Sequence, residues 1–163
     1  DPHHVNYLQP GKRTMHTLTP AKVFQDGAPY MSVGTMGGDG QPQIHVQILS
    51  AMIDFGLNVQ QAISAPRWRS GRMRASGARK QDILQGQRGV NRESERGIAE
   101  VVLLERRFPS GVPLLLDLLG HRTLVTGDWD DRMGHAQAIV TYPSTGLFEG
   151  AADPRCDGLA LGW

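Results

Sequence analysis

The chain has little of what anchors many small proteins. Cys156 is the only cysteine among 163 residues, so no disulfide closes within the sequence and the fold must rest on packing. No apolar run approaches the roughly 20 residues that a bilayer-crossing helix needs. An excess of one charge is missing too. The 17 Lys and Arg face 16 Asp and Glu, for a formal net charge of +1, which gives no global pull toward nucleic acid or anionic lipid. His-x-x-x-His, Cys-x-x-Cys and carboxylate–histidine clusters are absent, so the spacing points to no metal centre and no cofactor. The opening "DPHHVNYLQPGKR" has no initiator methionine, basic n-region or apolar h-region, so it reads as neither a translation start nor a signal peptide. The expectation is a fragment or processed subunit of a longer protein, placed in a bacterial cytoplasm or periplasm that the sequence does not decide between.

What is present reads as one partial domain over residues 1–163, with 39% hydrophobic and 20% charged residues. After an irregular start, Thr17–Gln25 reads as a strand, Asp26-Gly27 as a tight hairpin turn, and Ala28–Gly34 as the return strand. Ile44, Ile48 and Met52, with Leu49 and Ile53, recur at helical spacing, with Asp39 as a candidate cap, Pro42 in the first turn and Gly56 as the stop. His45 falls on the polar side of that helix. Asn58 and Gln61 form a capping-box pair that opens a short helix ending before Pro66. Residues 69–99, rich in Arg, Gly, Ser and Gln, read as an exposed loop or insertion. Ala99–Arg106 is a buried-strand pattern. Ser110 is a candidate cap for a helix to about Leu119 with an apolar face of Leu114, Leu115, Leu118 and Leu119. Strands follow at Thr123–Thr126, His135–Tyr142 and Leu147–Ala151. The order β-β-α-α, loop, β-α-β-β-β fits a layered α/β protein with antiparallel strand pairs.

Three stretches could carry chemistry. "GTMGGDG" (34–40) puts Gly37 and Gly38 at a strand-to-helix corner. There two neighbouring N–H groups can converge on an anion at the positive end of the helix dipole, and no Cβ obstructs the approach. A strained turn needs the same residues, so both readings stand. No lysine follows as in a phosphate-binding loop, which disfavours phosphate. "TMHTLTP" (14–20) clusters hydroxyls around His16 and could hold a carboxylate by hydrogen bonds, or simply finish a strand end. Arg67, Arg69, Arg72, Arg74, Arg79, Lys80, Arg88 and Arg92 could meet phosphates. Aromatic interleaving is limited to Trp68 and acidic residues dilute the charge, so a solvated insertion is the better reading and no nucleic-acid partner is expected.

"PGKRTMHTLTP", "GTMGGDGQPQIHVQILSAMIDFGLNVQQAISAPRW", "MGHAQAI" and "GLFEGAADPRCDGLALGW" together resemble the C-terminal part of the γ-glutamyltransferase (γ-glutamyl transpeptidase) small subunit. The similarity covers 10–68 and 101–163. It implies an N-terminal-nucleophile hydrolase fold, an αββα sandwich of which this chain is the C-terminal portion. It also implies autoprocessing of a proenzyme into a heterodimer of large and small subunits, and a role in glutathione metabolism. In this family a threonine freed by autocleavage attacks a γ-glutamyl or similar acyl amide, with its own α-amine as base, and water or an acceptor amine resolves the acyl-enzyme. Gly37 and Gly38 would then be the oxyanion donors. His16 and Thr17 fall where the family carries a serine pair that binds the donor's α-carboxylate, a variant similar to γ-glutamyltransferase-like proteins and acylases. No residue here matches the nucleophile, which the resemblance places upstream, in the same proenzyme or on a partner subunit. The alternatives are a cephalosporin-acylase-like amidase of the same fold, an inactive member, or a binding module. Made without its partner, the chain is expected to aggregate through an uncovered sheet face.

Overall fold

The structure, a computed structural model, describes residues 1–13, 15–74 and 98–162. Its elements are β1 (Ala21–Gln25), β2 (Ala28–Met36), α1 (Gln41–Ile53), α2 (Val59–Ser64), β3 (Trp68–Arg74), β4 (Ile98–Leu104), α3 (Gly111–Leu118), β5 (Thr123–Val125), β6 (His135–Tyr142) and β7 (Leu147–Ala152). Single 3-10 turns occupy Gly38–Gly40 and Asp131–Met133.

Strands β1-β2-β6-β7 form an antiparallel sheet. Alternation along β6 sends Ala136, Ala138 and Val140 inward and leaves Gln137 and Ile139 exposed. The inward residues, with Met31 and Val33 of β2 and Ala151 of β7, pack under α1 and α2 through Ile44, Ile48, Val59, Ala62 and Ile63. Burying each large aliphatic side chain stabilises the fold by about 1.5–3 kcal/mol. The other face of the sheet meets the C-terminal residues Leu159–Leu161 across a shallow, mostly apolar cavity of about 690 Å³, lined also by Lys22, Ser32 and Gln137. A second sheet, β3-β4-β5, pairs β3 and β4 antiparallel and β4 and β5 in parallel, with α3 as the crossover.

Several expectations are met closely. Asp26 and Gly27 both have positive φ in the hairpin turn. The capping box of α2 is complete: the Gln61 N–H donates to Asn58 Oδ1 (2.8 Å) and the Asn58 N–H to Gln61 Oε1 (3.0 Å). Strand β6 has the expected limits.

Others are corrected. The first strand starts at Ala21, not Thr17, because the ladder with β2 begins there, opposite Val33. Asp39 lies inside the 3-10 turn and α1 has no side-chain cap; neither does α3 at Ser110. Residues 69–99 are not loop at their ends, since 69–74 and 98–99 belong to the β3–β4 ladder; residues 75–97 lie outside the described residues. Strand β3 has little apolar patterning. It is held partly by α1, whose glutamines substitute for a neighbouring strand. Gln43 exchanges two hydrogen bonds with the Ser70 main chain (2.7 and 2.8 Å) and Gln47 two with that of Trp68 (2.9 and 3.0 Å). His45 is buried rather than on a polar side. The four leucines of the α3 face are 60–76% exposed, so that apolar stripe covers nothing among the described residues.

Candidate active site

Strand β2 ends at Met36, opposite His135 at the start of β6. The chain then turns through Gly37 (φ +154°) and Gly38 (φ +55°) into α1. A Cβ on Gly37 would lie 2.8 Å from Ile44 Cδ1 and 3.6 Å from the Gly134 Cα, so both the conformation and the space require glycine. The crowding is mutual. A Cβ on Gly134 would overlap the Met36 carbonyl oxygen and come within 2.5 Å of Ile44 Cδ1 and 2.9 Å of Thr35 Oγ1. A Cβ on Gly38 would meet nothing within 4 Å, so that position is open.

The hydrogen bonds at this corner are few. The Gly40 N–H donates to the Gly37 carbonyl (3.0 Å) and the Gln41 N–H to the Gly38 carbonyl. Among the described residues the N–H groups of Gly37 and Gly38 donate to no protein acceptor. They are adjacent donors at the N-terminal end of a 13-residue helix, where the backbone dipole favours negative charge.

His16 and Thr17 lie in an exposed segment outside any helix or strand. No hydrogen bond joins them to the corner among the described residues, but the segment is tethered beside it: Thr19 Oγ1 donates to Gln41 Oε1 at 2.7 Å. Thr19 carried no signal beyond being one hydroxyl among several. His45, one turn after Gln41, is buried with Nε2 unpartnered among the described residues, and burial pushes its imidazole below the ordinary range.

The corner is fixed from behind by a buried ionic cluster. Arg67, expected in the basic loop, is fully buried. Its Nη1 pairs with Asp153 Oδ2 (2.7 Å) and donates to the carbonyls of Met133 (3.1 Å) and Gly134 (3.2 Å), while Nη2 donates to that of Ile63 (2.9 Å). Asp153 Oδ2 also accepts the Ala136 N–H (2.8 Å). The main chain on both sides of His135 is therefore held by one ion pair. Arg155 grips Glu105 through both carboxylate oxygens (2.7 and 2.6 Å) and bonds Asp153 Oδ1 (3.0 Å). Arg107 adds a bond to Glu105 (2.8 Å) and stacks 3.5 Å from the Trp129 ring centroid.

The titration of the cluster follows from this geometry. Burial pushes the Glu105 carboxyl up, but the bonds from Arg155 and from the Arg67 and Asp130 amides outweigh it, and the net shift is below the ordinary value of 4.5. For Arg67, burial and then repulsion by Arg155 lower the guanidinium despite Asp153. Burial lowers Arg155 too, but Glu105 and Asp153 more than offset it. The cluster gives the terminal "DPR" signature (Asp153–Arg155) a structural role: it clamps the start of β6, against which the glycine corner packs.

Comparisons with known proteins agree with this architecture. The gamma-glutamyltranspeptidase family model matches residues 1–163. The chain is 41% identical over 162 residues (99% of its length) to the glutathione hydrolase-like YwrD proenzyme of Bacillus subtilis, and 39% identical over its whole length to the oxamate amidohydrolase proenzyme of Klebsiella pneumoniae. It spans 27% of the length of each of these relatives. Among solved structures, the cephalosporin acylase of Bacillus halodurans superposes with a TM-score of 0.70 at 35% identity, covering all of this chain and 25% of that one. A γ-glutamyltranspeptidase mutant from Pseudomonas nitroreducens superposes at 0.64 with 23% identity, over 98% of this chain and 69% of that one, a likeness of fold alone. The fold is part of the αββα N-terminal-nucleophile hydrolase architecture. The match over the full 163 residues, with the glycine corner and the clamp behind it, shows that this chain belongs to the gamma-glutamyltranspeptidase family.

Proposed function

We propose that this chain supplies the oxyanion-binding part of an enzyme that cleaves or transfers γ-glutamyl or similar acyl amides. The nucleophilic threonine comes from residues outside 1–163, on the same proenzyme or a partner subunit. The hydroxyl oxygen bonds to the amide carbonyl carbon and its proton passes through the threonine's α-amine to the departing nitrogen as the C–N bond breaks. Water or an acceptor amine then attacks the ester and releases the acyl product, restoring the hydroxyl. The Gly37 and Gly38 amides hold the oxyanion in both steps, and His16 and Thr17 contact the carboxylate of the acyl donor. The observation carrying this reading is the pair of adjacent, unpartnered N–H groups at the start of α1. Losing one such donor typically costs about 10²–10³ in turnover.

The exposed leucines of α3 and the exposed Ile139 and Phe148 of the four-stranded sheet fit a chain that folds against more protein, which is the partner proposed here.

A second reading keeps the chemistry and changes the acyl group. The 35% identity to a cephalosporin acylase favours an acylase-type amide such as a glutaryl amide. Assaying the complete protein with a γ-glutamyl anilide and a glutaryl anilide separates the two. Hydrolysis of only the second rejects γ-glutamyl transfer, and hydrolysis of neither rejects the amidase reading.

A further inference from the structure

The residues proposed to contact the donor's carboxylate have no helix or strand to hold them. His16 and Thr17 are exposed and precede β1. Upstream of them, the hydrogen bonds among residues 1–12 all join positions within five residues of one another. What fixes the segment comes from its C-terminal side. In the β1–β2 ladder Ala21 stands opposite Val33. The same antiparallel register, continued backwards, brings Pro20 opposite Gly34, Thr19 opposite Thr35 and Thr17 opposite Gly37. The ladder itself stops at Ala21, next to a proline that has no N–H to donate.

Thr19 takes over where the ladder ends. Its Oγ1 donates to Gln41 Oε1 at 2.7 Å, and among the described residues this is the only hydrogen bond made by residues 15–19. Ala21 and Val23 pack against the core beneath α1. The period of two puts position 19 on that same face, which is why its hydroxyl meets the helix.

Gln41 joins two parts of the site. It is the first residue of α1 and is buried. Its N–H donates to the Gly38 carbonyl and so fixes the turn that carries the oxyanion amides, while its side chain holds Thr19. Two residues span at most about 7 Å, so the tie at Thr19 confines Thr17 to that distance from a point fixed beside the amides. Without the tie, the nearest fixed point is Ala21, and the reach of Thr17 doubles to about 14 Å.

Resting on the function proposed above, we infer that Thr19 and Gln41 are positioning residues. Their hydrogen bond sets the spacing between the carboxylate contact at His16 and Thr17 and the oxyanion amides, and with it the acyl length the enzyme prefers. The substrate class is an amide whose acyl group ends in a carboxylate at one fixed distance from the reacting carbonyl. γ-Glutamyl and glutaryl groups share such a spacing; a succinyl group is one methylene shorter and an adipyl group one longer.

The test uses the complete enzyme and whichever of the γ-glutamyl and glutaryl anilides it hydrolyses. To that parent are added the same acyl group one methylene shorter, one methylene longer, and with a methyl in place of the carboxylate. The wild type is expected to favour one of the three carboxylated lengths in kcat/KM, mainly through KM. Thr19→Val keeps the shape and loses the hydroxyl. It is expected to cut that preference about 2- to 10-fold, the worth of a neutral hydrogen bond, with the least change on the methyl analogue. Gln41→Met should do the same, the double variant should do no more than either alone, and Thr19→Ser should keep the preference. No length preference in the wild type, an unchanged preference in Thr19→Val, or equal losses on all four anilides overturns the assignment and leaves the amidase reading intact. Hydrolysis of neither parent rejects the amidase reading instead. The positioning role is then judged by equilibrium binding of glutarate against succinate and adipate: a length preference that Thr19→Val levels sustains it, and no preference, or the same one in both proteins, removes it.

Discussion

Alanine at Gly134 and at Gly38 should give opposite phenotypes, although both positions have positive φ. At Gly134 (φ +76°) the added methyl would overlap a main-chain oxygen of β2 and press on Ile44 Cδ1. The oxygen belongs to the β2–β6 ladder and cannot rotate away. At Gly134 ψ is 169°, a region open essentially to glycine alone that costs an L-residue about 1–3 kcal/mol, and forcing a methyl into a packed site costs about 1–3 more. The sum is about 2–6 kcal/mol, a large share of a typical stability of about 5–15. At Gly38 (φ +55°) only the conformational part applies, since nothing lies within 4 Å; yet its methyl would stand beside the amides proposed to hold the oxyanion. Urea unfolding of the complete enzyme, followed by tryptophan fluorescence, and kcat on an active amide measure both effects. Gly134→Ala is expected to lower the midpoint by about 1 M or more. Gly38→Ala should keep most of the stability and lose at least about tenfold in kcat. A Gly134→Ala enzyme with the wild-type midpoint refutes the packing argument, and a Gly38→Ala enzyme with wild-type kcat refutes the oxyanion assignment.

Arg155→Met leaves Glu105 and Asp153 buried with a cation missing, so it should cost about 3–5 kcal/mol; a wild-type melting temperature would contradict this. The Glu105 carboxyl is below its ordinary value of 4.5 in the folded state. Its contribution is therefore fully present above pH 4.5 and lost as pH falls through the lower folded value. Glu105→Gln, less stable at neutral pH, should show a flatter decline of stability below pH 4.5, and parallel curves would exclude Glu105 as a source of acid sensitivity. Asn58→Ala removes the side-chain acceptor of the α2 capping box and should cost about 1 kcal/mol, read as a denaturant midpoint. No shift would mean that packing of Val59, Ala62 and Ile63 alone sets that helix.

The parts of this fold that were legible in the sequence are those decided within a few residues. Asp26-Gly27, Asn58 with Gln61, and the alternation in "HAQAIVTY" each carry their geometry in their own neighbourhood, and all form as read. Strand β3 has no such signature, because its partners are the Gln43 and Gln47 side chains and a strand about 30 residues later. The burial of Arg67 is equally non-local. "PRWRSGRMR" looks like a solvated basic run, and only the Asp153 carboxylate and the carbonyls of Ile63, Met133 and Gly134 make it favourable to bury its first arginine.

The same division runs through the candidate site. Gly37 and Gly38 are visible as a glycine pair before a helical pattern, whereas Gly134, Thr19 and Arg69 become neighbours of the corner only once β6, the 15–20 segment and β3 are folded around α1. The terminal "DPR" is the instructive case. It is specific as a string, yet nothing local says why. Asp153 holds the Ala136 amide and Arg67, Arg67 holds the Gly134 carbonyl, and Gly134 abuts Gly37. A motif more than a hundred residues along the chain is thereby three contacts from the amides that would face the reacting carbonyl. Its specificity follows, because an ion pair that must satisfy this many buried acceptors leaves no substitute of equal length, charge and hydrogen-bonding capacity.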